Sequence, residues 1–348
     1  MIKNKPYRAA IVGCGRIASD FDDDSLMKKS YGISSHAGGY IDNPDVELIA
    51  AADVSREKLE KFGARWEVDK LYQDYRQMLG TEKPDILSIC TWNSTHLDIL
   101  EAAAANQVKA VFCEKPISNS LANADRMLKV AQDNKLVLMV NHSRRWDDLY
   151  QDIKSLIDQK KLGDIQQVSC YYTAGIANTC SHLFDVLRLF FGDVASVAGW
   201  YKGDPALADP NIDGYLTFKS GVTATLQSLD VKSYTLFEFD IYGTTGRLRI
   251  KDNGFSLGFW RAAASQRYLG YRELETQDPL LKIAPKKIMR NAIKNIVDCL
   301  LNNRAPACSG EDGVKALEVI CAFLRSASEQ GQLVRFPLTD RQAIINSR

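Results

Sequence analysis

Ala9-Ala10-Ile11-Val12-Gly13-Cys14-Gly15-Arg16-Ile17-Ala18 opens the chain's first recognisable element. The apolar run reads as a buried strand, and the G-x-G-x-x-A that closes it is the turn on which a dinucleotide pyrophosphate rests. Gly13 permits the tight turn, Gly15 lets the backbone approach a phosphate, and Ala18 lets a helix pack closely on the strand, with Arg16 and Ile17 completing the loop. A second strand, Val46 to Ala52, ends in Asp53. A carboxylate there suits the adenosine ribose hydroxyls and repels the extra phosphate of NADP, so NAD is expected ahead of NADP. The interval from fingerprint to acid exceeds the usual 20 or so residues, which points to an insertion. Ser19 to Ser35, polar and carrying Asp22, Asp23 and Asp24, is the candidate and reads as a surface loop rather than a lid.

Outward from this turn, short apolar runs alternate with helical patterns: Ile86 to Cys90, Ala110 to Cys113 and Leu136 to Val140 as strands, Leu97 to Ala105 and Ser120 to Asn134 as helices. That alternation is the grammar of βαβ units, and it predicts an α/β Rossmann domain with a doubly wound parallel sheet over residues 1–145. From Ile165 onward, strand runs follow one another with only Gly-containing turns between them. Residues 146–348 are therefore expected to form an α+β domain with a largely antiparallel open sheet, serving substrate binding and oligomerisation. Helices are expected over Asp147 to Lys160, Thr179 to Phe191, Lys286 to Asn302 and Glu311 to Gln330, the closing one packing back toward the first domain.

Composition excludes several classes of partner. Lys and Arg total 44 against 43 Asp and Glu, a net charge of +1, which leaves no electrostatic footprint for nucleic acid or an anionic membrane. No run approaches the 18 or so apolar residues of a membrane span. The 8 cysteines contain no C-x-x-C pair, which predicts a reduced, cytoplasmic protein. The start, Met1 to Arg8, passes into a strand without an apolar leader. A small-molecule substrate is expected.

Three further segments close predicted parallel strands, where open α/β sheets bind ligands: Thr91-Trp92-Asn93-Ser94-Thr95-His96, Glu114-Lys115-Pro116, and Arg144-Arg145-Trp146. Oxidising a carbinol requires a base in hydrogen-bond reach of the hydroxyl, and Lys115 is the candidate. His182, in Asn178-Thr179-Cys180-Ser181-His182, is the second acid/base candidate. Asn178 and Cys180 beside it do not make a metal set, and no metal site is expected. An Arg at 144 or 145 suits a carboxylate or phosphate, and Trp146 offers a face for a sugar ring.

With these motifs in view, the sequence resembles the glucose–fructose oxidoreductase / inositol dehydrogenase / MocA family over nearly its whole length, including Glu311-Asp312-Gly313 near the end. The resemblance implies an NAD-dependent oxidoreductase acting on a carbinol or ketone of a sugar, cyclitol or nucleotide-linked sugar, and association into a dimer or tetramer. It assigns Lys115 to the reacting oxygen, Glu114 and Pro116 to the nicotinamide pocket, Thr91, Asn93 and His96 to the cofactor lining, and Arg144, Arg145, Asn178 and His182 to the substrate. Trp92 stands where the family has Pro, and Asn178 where it commonly has Asp. Alternatives on the same fold are an NAD-dependent glycoside-cleaving enzyme and a non-catalytic nucleotide- and sugar-binding regulator. Cys14, Cys90 and Cys113 fall in or beside the cofactor motifs, an arrangement expected to confer sensitivity to thiol oxidation.

Overall fold

The computed structural model describes residues 5–345, so the reading of the chain's first residues lies outside the described part. Backbone contacts divide the chain into two units. The first runs to Asp148 and takes in Pro285–Lys315; the second comprises Leu149–Ala284 and Ala316–Ile345. A linear reading puts Pro285–Lys315 in the second domain. It joins the first because helix Ile288–Asn302 seats Met289 and Ile293 against Gly39, where an added Cβ would come within 2.6 Å of the Met289 side chain.

The first unit holds one parallel sheet of β1 (Tyr7–Val12), β2 (Val46–Ala52), β3 (Leu71–Tyr72), β4 (Ile86–Ile89), β5 (Ala110–Cys113) and β6 (Val137–Val140), in the order β3-β2-β1-β4-β5-β6. Every residue of β4 and β5 is buried, which is why these strands read as unbroken apolar runs. The order reverses between β1 and β4, and a ligand crevice forms at such a switch point outside the carboxyl ends of the strands.

The helix expected behind the fingerprint is interrupted. A first turn forms after Gly15, with the Ser19 amide donating to the Gly15 carbonyl at 3.0 Å. The chain then departs through helix Ser25–Tyr31 and resumes in helix His36–Asp42. On its return the His36 amide donates to the Ile17 carbonyl at 3.1 Å and the Ala37 amide to the Ala18 carbonyl at 3.0 Å. Ser19 to Ser35 is thus an insertion into the middle of a helix, and it contains a helix of its own.

The second unit is built on a nine-stranded sheet of β7 (Ile165–Tyr172), β8 (Val194–Lys202), β9 (Asn211–Phe218), β10 (Thr223–Ser228), β11 (Phe237–Gly243), β12 (Gly246–Lys251), β13 (Ser256–Ala264), β14 (Arg272–Gln277) and β15 (Val334–Arg335). Its order is β14-β13-β12-β11-β7-β10-β9-β8-β15, antiparallel except where β7 meets β10. Burial alternates strictly along β12, the mark of a sheet with one face in the core. Helix Cys180–Phe191 packs on the sheet through Phe191 against Phe218, and Phe184 stacks on Phe323 at 5.3 Å. No described helix is long and apolar enough to cross a membrane.

Candidate active site

The fingerprint turn is fixed by steric limits at Gly13. Its φ is +91°, and a Cβ there would lie 2.7 Å from the Cys90 carbonyl oxygen. Gly15, by contrast, has open space where a side chain would stand, the clearance a phosphate needs. Asp53 accepts from the Cys14 amide at 2.7 Å and from the Ser55 amide at 2.8 Å, so its carboxylate is held beside the glycine turn with lone pairs to spare for hydroxyl donors. Arg56 pairs with Glu60 at 2.8 Å on the exposed side of its helix. The Arg16 guanidinium lies 4.9 Å from the Phe21 ring, on the insertion, while Ala18 is fully buried.

The carboxyl ends of β4 and β5 are tied together by His96. Its ring is 0% exposed; Nε2 lies 3.1 Å from the Thr91 carbonyl and Nδ1 lies 3.1 Å from the Ile117 carbonyl and 3.2 Å from Cys113 Sγ. Burial pulls its pKa below the ordinary histidine value despite those acceptors. His96 is therefore fully enclosed rather than at an exposed lining position as expected; it braces the two loops between which it sits. Asn93 is buried at the start of the 3-10 turn Asn93–Thr95, and Thr91 shares a 2.7 Å hydroxyl contact with Thr95. Trp92 holds φ −72° and ψ 145°, angles that a proline could also adopt. The Lys115-Pro116 bond is cis, Pro116 is buried and Lys115 is half-buried.

Glu114 anchors a buried polar chain. Its Oε1 accepts from His36 Nε2 at 3.0 Å and from Asn141 Nδ2 at 2.6 Å; His36 Nδ1 lies 2.8 Å from Ser88 Oγ, and that hydroxyl lies 2.6 Å from Tyr40 OH. One imidazole proton, on Nε2, satisfies the whole series. Burial alone pushes the Glu114 carboxyl up, but the bonds from His36 and Asn141 and the charge of Lys115 bring it below its ordinary value. His36 comes from the helix that resumes after the insertion, a contact with Glu114 that no local pattern signals. Asn141 Oδ1 is buried and has no hydrogen-bond partner. An unmet acceptor there, the open cradle at Gly15 and the fixed Asp53 carboxylate together fit a nicotinamide dinucleotide.

After β6, the residues expected at the substrate separate into different roles. Trp146 is only 4% exposed and meets Phe112 edge-on at 5.5 Å, so it belongs to the core and offers no face to a sugar. Arg145 pairs with Asp312 Oδ1 at 3.0 Å, while Asp312 Oδ2 accepts from the Ser309 amide and hydroxyl at 3.0 Å; this ties the start of helix Gly310–Ser328 to the parallel sheet. Gly313 completes that junction, since a Cβ there would lie 2.7 Å from Val140. Arg144 stays near the rim, within electrostatic reach of Tyr31, the last residue of the inserted helix. Asp147 forms a buried ion pair with Lys286 at 2.5 Å, which the sequence did not reveal.

In the second unit, His182 lies in the first turn of helix Cys180–Phe191 and Asn178 in the preceding π-helical turn Gly175–Thr179. The Ser181 hydroxyl donates to the Asn178 carbonyl at 2.8 Å. Among the described residues, no group of three or more His, Cys, Asp or Glu side chains is placed to hold a metal ion.

The cysteines correct an expectation. Burial raises the Cys14, Cys90 and Cys113 thiols well above their ordinary value, with Asp53 adding to the effect at Cys14 and Glu114 at the other two. A thiol held protonated is a poor nucleophile. The folded protein at neutral pH is therefore expected to resist iodoacetamide at these three sites with or without NAD. Rapid labelling of Cys14 or Cys90, read by peptide mass, would contradict this.

A glycine turn with an open phosphate cradle, a carboxylate fixed beside it and an unmet buried acceptor fit an NAD-binding oxidoreductase. Family comparison agrees: residues 7–142 match the model described as "Oxidoreductase family, NAD-binding Rossmann fold", and residues 154–335 match its C-terminal alpha/beta domain. The chain belongs to the Gfo/Idh/MocA oxidoreductase family. It is 26% identical to the D-apiose dehydrogenase of Paraburkholderia graminis, over 97% of this chain and 92% of that protein. It is 25% identical to the myo-inositol 2-dehydrogenase of Thermotoga maritima, over 93% and 97%. Among solved structures, the WlbA dehydrogenase of Bordetella pertussis, in complex with NADH and UDP-GlcNAcA, has the same fold at TM-score 0.77 and 20% identity, covering 96% of this chain and 100% of that one. An oxidoreductase from Agrobacterium radiobacter in complex with NAD+, L-tartaric acid and magnesium matches at TM-score 0.75 and 20% identity, covering 95% and 98%.

Proposed function

We propose that this enzyme interconverts a carbinol and its ketone on a sugar, cyclitol or nucleotide-linked sugar, with Lys115 moving the hydroxyl proton and His182 serving as the second acid/base group. Gly13, Gly15 and the turn through Arg16, Ile17 and Ala18 would hold the pyrophosphate, Asp53 the ribose, and Thr91, Asn93, Glu114 and Pro116 the nicotinamide end. When bound, the nicotinamide takes or gives the hydride. The observation that carries this reading is Lys115, half-buried at the carboxyl end of β5 and directly following a charged, hydrogen-bonded Glu114, on the rim that holds the fingerprint. Arg144, half-buried and donating to the Ser143 hydroxyl at 3.1 Å, is the arginine proposed to meet an oxyanion or hydroxyl of the substrate, while Arg145 holds Asp312. The named activities of the apiose and inositol dehydrogenases support a polyol or sugar substrate. Self-association through the second unit's sheet and a cytoplasmic location belong to the same proposal.

The test is a panel of myo-inositol, D-apiose, free hexoses, hexuronates and UDP-linked sugars, scored by NADH absorbance. Reduction of NAD with at least one member is the expected result. Release of nitrophenol from nitrophenyl glycosides with no net NADH would replace this reading with glycoside cleavage. Binding of NAD and sugar without turnover of either kind would leave a regulator.

A further inference from the structure

The turn ahead of His182 is held from outside its own helix. Four consecutive backbone amides, from Gly175 to Asn178, face three consecutive residues leading into β9. The Gly175 amide donates to Asn211 Oδ1 at 3.2 Å, Ile176 to the Pro210 carbonyl at 3.0 Å, Ala177 to Asp209 Oδ1 at 2.7 Å and Asn178 to Asp209 Oδ2 at 2.9 Å. These are the donors a helix start leaves unmet, and here a remote segment satisfies all four. The clasp is anchored, because β9 is an inner strand and the Tyr172 hydroxyl bridges both the amide and the carbonyl of Ile212 at 2.8 and 2.9 Å. The turn is shaped around the carboxylate: a Cβ on Gly175, whose φ is +85°, would overlap the Asp209 side chain, and Ala174 before it takes a left-handed φ of +67°.

We propose that Asp209 is the positioning residue for His182: its carboxylate clamps the amides of Ala177 and Asn178, sets where the imidazole emerges, and supplies the negative charge that the amide side chain of Asn178 does not. His182 follows Asn178 by four residues, and the Asp209 charge is already felt at Cys180 in the same first turn, where a carboxylate favours an imidazolium. Asp185 and Cys180 are titratable groups on the helix itself, and around Cys180 and Tyr172 lie Cys170 of β7 and Asp213 of β9. Asp209 alone among them has both oxygens on the turn. The catalytic consequence rests on the function proposed above; the clamp and its charge do not.

Two measurements separate the parts. The chain has four histidines, so the His182 ring is assignable in carbon–proton correlation spectra by comparison with His182→Gln. In the full chain carrying Asp209→Asn, the His182 titration midpoint is expected to fall. In the double variant Asp209→Asn/Asn178→Asp, which moves the charge by one contact, it is expected to rise again. Asn178→Asp alone, with the clamp intact, should raise it, and this variant tests the charge even if Asp209→Asn does not fold. An unmoved midpoint in these variants overturns the proposal. For turnover, with whichever panel member the wild type oxidises, Asp209→Asn is expected to lose about 10²-fold in kcat with KM for NAD unchanged, and the double variant to recover part of it. Equal losses in kcat and NAD affinity, without rescue, would show a merely structural role. If His182→Gln leaves turnover intact, the proposed function fails while the spectra still judge Asp209.

Discussion

Lys115→Ala is expected to lower kcat by about 10²- to 10⁴-fold, the range over which a positioned proton-transfer group contributes. NAD affinity, read by quenching of tryptophan fluorescence, should change little, because Asp53 and the glycine turn lie on other strands of the sheet. Lys115→Arg keeps the charge and reach but not a proton that can be given up near neutrality, and should recover little activity. If Lys115→Ala turned over normally, a different group would have to handle the hydroxyl proton. A loss of NAD binding equal to the loss of rate would make Lys115 a cofactor ligand only.

Glu114→Ala is expected to destabilise the first unit by about 1–3 kcal/mol for each buried donor that loses its acceptor. Two donors, His36 Nε2 and Asn141 Nδ2, would be left facing a void. The effect has a pH signature. The folded-state pKa of Glu114 lies below the carboxylate value of 4.5, so its ionisation stabilises the fold above that pH, and this contribution fades as pH falls through the folded value. The gap in melting temperature between wild type and Glu114→Gln, which removes the charge but keeps the shape, should therefore be full at neutral pH and narrow below about 4.5. A gap that is the same at pH 4 and pH 7 would show that shape, not charge, is what Glu114 contributes.

The sequence was most informative where structure is local. β4, β5 and the G-x-G-x-x-A turn could be read because buried parallel strands are near-continuous apolar runs and because glycine is demanded by conformation. β13 and β14 were missed: Arg272–Gln277 is an edge strand with almost no burial, so nothing imposes an apolar pattern on it. Arg144 and Arg145 are adjacent and chemically identical on paper; what separates them is their partners, Ser143 for the one and the distant Ala307 carbonyl and Asp312 for the other. Trp146 looked like a sugar platform because its exposure is decided by Phe112, from another strand. His36 and Asp209 were invisible for the same reason, since each acts on a residue far along the chain.

The inserted stretch between Ser19 and Ser35 enters and leaves the helix at one point, where His36 and Ala37 resume the hydrogen bonding that Ile17 and Ala18 began. For the sheet beneath, the excursion is a closed parenthesis: its length can change without moving a strand, and doubling a loop costs only about 0.6 kcal/mol in closure entropy. Its far end nonetheless delivers Tyr31 to the neighbourhood of Arg144. A chain built this way can rewrite one parenthesis while the grammar of the sheet beneath stays fixed.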